Sequence, residues 1–185
     1  MIDLINKENF DIDGIELSSN HIYENNFEKI LKTLKNKKII NHNYFPPKKN
    51  SNDFVINLAS SNKKIRFDSI SFIKDSINFC ANNNINIYTI HPGFKSDPKP
   101  NIDLNNNYDF SFSKVKTDYV TAFENFLNSL FEILEYSKNK NVQICIETMG
   151  SRTSSENLIL QKPQEFDHLL KIFQNYDIFF NLNLA

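Results

Sequence analysis

Four times along this chain a short run rich in isoleucine or valine gives way to a longer stretch whose apolar residues recur at helical spacing, and a fifth such run follows. That alternation restricts the fold more than any other feature. Strands are expected over 12–17, 38–42, 85–90, 141–147 and 178–184. Helices are expected over 26–34, 66–81, 118–138 and 163–173. The second helix carries Ile70, Ile73, Ile77 and Cys80 on one face, with Asp68 placed to cap its start. The third shows a stripe of Val120, Phe123, Leu127, Leu130, Phe131 and Leu134, and Pro163 suits the first turn of the fourth. Strands separated by helices form βαβ units with right-handed crossovers and a parallel sheet. An open doubly wound sheet and a (β/α) barrel both satisfy that pattern. No G-x-G-x-x-G or G-x-x-x-x-G-K follows any strand, which weakens a nucleotide-binding reading.

With 185 residues and 40% hydrophobic content the chain can bury one sizeable core. Lys plus Arg is 21 against 22 for Asp plus Glu, so no broad positive field is available for a phosphate backbone. Cys80 and Cys145 lie in apolar segments, as reduced core thiols do. No apolar run is long enough to span a membrane, and the first residues lack the pattern of a signal peptide, so a soluble, cytoplasmic protein is expected. Asparagine is abundant, at 29 residues, which fits A/T-rich codon usage; the triplets at 82–84 and 105–107 read as loop filler. With only three glycines, Gly14, Gly93 and Gly150 are expected where the backbone demands them.

In parallel α/β folds chemistry collects at the carboxyl ends of the strands. Here those positions hold Glu16, His42, His91, Glu147 and Asn183. One strand-end histidine alone is most often a hydrogen-bonded core residue. Two histidines and two glutamates at one mouth instead favour a divalent metal site, because neutral imidazole and carboxylate ligate zinc, manganese and iron. The loop residues Asn43, Tyr44 and Asn57 offer hydrogen bonds to a polyol. Pro92 and Gly93 turn the chain sharply after His91. Arg152 is either a phosphate or carboxylate anchor or an ordinary surface arginine.

His42-Asn43-Tyr44-Phe45-Pro46-Pro47, Asn57-Leu58-Ala59-Ser60, Arg66 with Ser69-Ile70, His91-Pro92-Gly93-Phe94 and Ile144-Cys145-Ile146-Glu147 occur in that order. Together they resemble the xylose isomerase-like TIM-barrel superfamily, in particular its sugar phosphate isomerase/epimerase branch. Endonuclease IV-type apurinic endonucleases share several of these elements. The resemblance implies that His42, His91 and Glu147 bind a divalent metal (Mn, Zn, Co or Mg) and that Glu147 also acts as acid/base. It implies sugar contacts from Glu16, Asn43, Tyr44, Asn57 and Arg152. The family's fifth strand reads apolar-Asp-x-x-His; Asn183 takes the aspartate position, with Asn181 as the other register. An amide oxygen is a weaker ligand for a hard dication than a carboxylate.

An eight-unit barrel takes about 250 residues, so 1–185 is expected to be the amino-terminal part of one, an incomplete TIM-type α/β barrel with about five of eight βα units. The leading expectation is a metal-dependent sugar or sugar phosphate isomerase or epimerase whose activity needs the completed barrel. Alternatives are an endonuclease IV-like hydrolase at abasic sites, disfavoured by the balanced charge, and a non-catalytic sugar-binding half-barrel. An incomplete barrel exposes strand edges, so a homodimer or a second chain completing it is the expected partner, with no membrane involvement.

Overall fold

The computed structural model describes residues 13–18, 31–34, 37–47, 55–102, 108–112, 114, 116–149 and 155–182. Among the described residues five strands form one parallel sheet: β1 (Gly14–Leu17), β2 (Lys38–His42), β3 (Ile87–Ile90), β6 (Gln143–Glu147) and β7 (Ile178–Asn181). Their spatial order follows their chain order without reversal. A doubly wound sheet reverses order at a switch point and places helices on both faces. A sheet that only advances keeps its crossovers on one side, as a barrel does. The fold is therefore the α/β, parallel-sheet architecture of a TIM barrel, present here as an arc.

Among the described residues the helices with both ends in view are α1 (Lys63–Asn82), α2 (Tyr119–Ser137) and α3 (Pro163–Ile172); of the helix expected over 26–34, residues 31–33 are helical and 26–30 lie outside the described residues. The face of α1 foreseen from its isoleucines is buried, with Ile70, Ile73, Ile77 and Cys80 in the core. Its start differs. The cap is Asn62, whose side-chain oxygen accepts from the N–H groups of Lys64 and Ile65, while Asp68 lies one turn inside and pairs with Lys64 at 2.6 Å. The helix ends in the 82–84 asparagines: Asn83 is the C-cap and Asn84 adopts a left-handed φ of 57°. These are a stop signal, since asparagine tolerates that region. The 105–107 run lies outside the described residues.

The buried face of α2 includes Phe123, Leu130 and Leu134 of the expected stripe but not all of it. Val120 and Phe131 are exposed, and Ala122, Phe126, Ser129, Ile133 and Ser137 take the inward positions. Small residues let α2 approach closely, and Ser129 Oγ–H donates to the Leu58 carbonyl at 2.8 Å. A hairpin of β4 (Pro98–Ile102) and β5 (Tyr108–Phe112) was not foreseen; it pairs antiparallel, apart from the main sheet. β4 carries Pro98 and Pro100, which remove ladder donors and make a strand hard to read from sequence.

The main core joins α1, α2 and the sheet through Ile56, Leu58, Ile73, Tyr88, Phe126, Leu130, Ile133 and Ile144 among others. A smaller cluster of Val55, Phe94 and Leu158, with Phe112 and Met149 against it, sits beyond the strand ends. It braces the loop after β3: Phe94 bridges Leu158, and the Lys95 N–H donates to the Asn157 carbonyl at 2.8 Å. Among the described residues no helix is long and apolar enough to cross a membrane.

Candidate metal centre

His42 ends β2, His91 follows β3 directly, and Glu147 ends β6. Because the strands run parallel, with His42 level with Thr89 and Thr89 level with Cys145, all three side chains emerge at the same end of the sheet. His42 Nε2 lies 2.9 Å from Glu147 Oε2, and His91 Nε2 lies 4.0 Å from Glu147 Oε1. One ligand atom from each residue falls within 4.8 Å of the others. Metal–nitrogen and metal–oxygen bonds of about 2.0–2.2 Å place two donors on one ion roughly 3–4 Å apart. The two separations bracket that span, so the donor set fits a divalent cation.

The electrostatics favour ligation. Burial and the neighbouring His42 hold the His91 imidazole down to about 4, with Glu147 pulling the other way. His91 is thus neutral at physiological pH, the state that binds cations. The rings of His42 and His91 meet edge to face with centroids 5.1 Å apart. On its far side His42 Nδ1 is 3.3 Å from Ser18 Oγ and 3.9 Å from Glu16 Oε1. Glu16 therefore sits behind His42 with a side chain 41% exposed.

Asn43 is buried, with its Nδ2 3.3 Å from His91 Nδ1. The Tyr44 hydroxyl accepts from the Ile56 N–H at 2.8 Å and its ring meets Phe72 edge to face, so this side chain fixes the 55–57 segment. Asn57 is fully buried; its Oδ1 accepts from the N–H groups of Ala59 and Phe94 at 3.2 and 2.8 Å, and its Nδ2 donates to Asp97 at 2.9 Å. That amide joins the loop after Ile56 to the loop after His91. Gly93, at φ 108°, lies against it, as its scarcity implied. Arg152, Gly150 and Asn183 lie outside the described residues. The strand-end residue of β7 that meets the centre is Asn181, level with Glu147, whose Nδ2 donates to Glu147 Oε2 at 3.3 Å. Asn181 is the second of the two registers the sequence offers for the aspartate position. Ser18 carried no signal in the sequence.

A parallel βα arc with polar and metal-capable side chains gathered at its carboxyl mouth is the arrangement of TIM-barrel proteins. The model of the family described as xylose isomerase-like TIM barrel matches residues 7–184, and the chain belongs to that family. Among solved structures it is similar to a D-tagatose 3-epimerase-like protein, at TM-score 0.64 and 20% identity over 97% of this chain and 58% of that one. It is also similar to D-psicose 3-epimerase from Clostridium cellulolyticum H10, solved with D-tagatose, at TM-score 0.62 and 16% identity over 98% and 56%. L-ribulose 3-epimerase gives TM-score 0.60 and 13% identity over 97% and 52%. The chain thus spans little more than half the length of these neighbours, and at such identities the likeness is one of fold. No curated protein shows a significant sequence match.

Proposed function

We propose that this chain carries the metal-binding part of a sugar isomerase or epimerase, and that residues 1–185 form the amino-terminal part of its barrel. The observation that carries the reading is the convergence of His42, His91 and Glu147 at the strand ends. Two imidazoles and one carboxylate suit zinc, manganese, cobalt or iron better than magnesium. When bound, the cation supplies Lewis-acid polarisation of adjacent sugar oxygens. Three protein ligands leave coordination positions for those oxygens.

In this reading Glu147 is the acid/base. The Asn181 amide donates to its Oε2 at 3.3 Å and His42 Nε2 lies 2.9 Å from the same oxygen, so the carboxylate is held in place beside the cation site. The second carboxylate that proton transfer between neighbouring carbons calls for comes from outside the described residues. The structural neighbours' names point to ketoses as the substrate class, and the small-molecule partner is accordingly a sugar or sugar phosphate. The donor set also suits phosphodiester hydrolysis at abasic sites, but a net charge of −1 does not favour a duplex.

Ligand-observed NMR against a panel of ketohexoses tests the proposal. Binding is expected in the presence of manganese or zinc and is lost with chelator or with Glu147→Gln. Sugar binding indifferent to both, or metal-dependent cleavage of abasic DNA, would overturn it.

A further inference from the structure

We propose that Asn43 is a positioning residue that sets which ring nitrogen of His91 faces the metal centre; this rests on the centre proposed above. The backbone of Asn43 is clamped to β3 through both its polar groups. Its N–H donates to the Thr89 carbonyl at 2.8 Å, and its carbonyl accepts from the Tyr88 hydroxyl at 2.6 Å. Its φ of 38° is one that asparagine adopts readily. The side chain is 1% exposed and ends against Nδ1 of His91, while Nε2 of that ring points to Glu147.

A neutral imidazole ligates through the nitrogen that lacks a proton and carries the proton on the other. For His91 to ligate through Nε2, the proton must sit on Nδ1 and be accepted there. The Asn43 amide is the group at that position. With Nδ2 toward the ring, Oδ1 of Asn43 is buried without a hydrogen-bond partner among the described residues. Amide oxygen and nitrogen are nearly the same size, so the side chain turned over occupies the same space. Oδ1 then takes the Nδ1 proton, and the unpartnered acceptor and the required tautomer are satisfied together. His42 repeats the geometry, with Nδ1 against Ser18 and Glu16 and Nε2 against Glu147. Both rings are thereby held from behind by protein groups, as metal-ligating histidines are.

Two variants separate this role from a structural one. Asn43→Gly keeps the unusual backbone conformation and removes the acceptor; Asn43→Asp keeps an acceptor. Zinc and cobalt affinities would be read by competition with a chromophoric chelator. The expected result is a loss of about 10–100-fold for Asn43→Gly, with Asn43→Asp close to wild type. Long-range 1H–15N NMR of the zinc-loaded wild type is expected to find the His91 proton on Nδ1. This measurement decides the matter if Asn43→Gly does not fold. Wild-type affinity in Asn43→Gly, or zinc bound through His91 Nδ1, would overturn the role of Asn43 and leave the centre standing. A wild-type chain that takes up neither metal would overturn the centre, and this role with it.

Discussion

A Gly93→Ala substitution puts a methyl group into the turn that carries His91. The new Cβ would come within 2.5 Å of Asn57 Oδ1, 2.9 Å of the Leu58 nitrogen and 3.0 Å of the Ala59 nitrogen. Two of those three atoms are backbone, so the clash cannot be relieved by rotating a side chain. The φ of 108° adds strain, because an L-residue held in so sparsely populated a region costs about 1–3 kcal/mol. Moving Asn57 breaks the bonds its Oδ1 accepts from Ala59 and Phe94, and leaving such a buried group unsatisfied costs about 1–3 kcal/mol more. The total is about 2–6 kcal/mol, a large part of the roughly 5–15 kcal/mol by which a domain is stable. With a urea slope near 2 kcal/mol/M the unfolding midpoint falls by about 1–3 M, measurable by circular dichroism. Zinc affinity falls as well, since His91 lies two residues upstream. Gly14→Ala provides the comparison: its nearest contact is the Lys38 carbonyl at 3.1 Å and its φ lies outside the restricted region, so the drop is smaller. A Gly93→Ala protein with the wild-type midpoint and zinc affinity would refute the account of this turn.

Asn62→Ala lowers stability by about 0.5–2 kcal/mol through loss of the α1 cap, whereas Asp68→Ala removes only an exposed i,i+4 pair with Lys64, commonly about 0.3–0.5 kcal/mol. Urea titrations of the two variants give that order, and the reverse order would restore Asp68 as the cap. Burial pushes the Cys80 thiol from 9.0 up to about 12 and raises the Tyr88 hydroxyl as well. The fold favours the neutral form of both, so stability is complete below pH 9, falls as pH rises from 9 toward 12 on account of Cys80, and falls further above pH 10 on account of Tyr88. The urea midpoint therefore falls across that window, less steeply in Cys80→Ala; a midpoint flat above pH 9 would contradict it.

The strand ends were legible in the sequence because strand position and the βα alternation together decide which residues reach the carboxyl mouth. His42, His91 and Glu147 needed nothing else. Asn57 and Tyr44 looked equally polar and available, yet their polar groups hold loop to loop, a distinction that depends on contacts 37 to 40 residues away for Asn57. On α2 the apolar residues extend round more of the helix than one stripe, so periodicity marks Phe123, Leu130 and Leu134 as buried but does not separate Phe126 and Ile133 from Val120 and Phe131. Ala122, Ser129 and Ser137 are buried with Phe126 and Ile133, while Val120 and Phe131 remain outside. The hairpin was hidden by its prolines. Asn62 and Asp68 are both good capping residues, and helix length alone separates them.

In the proposed centre His42, His91 and Glu147 hold one divalent ion. Crystals of the protein loaded with zinc, measured on both sides of the zinc absorption edge, test it most directly. One anomalous peak is expected within about 2.0–2.2 Å of His42 Nε2, His91 Nε2 and a Glu147 oxygen. No peak at that position, or one ligated by other residues alone, would contradict the account.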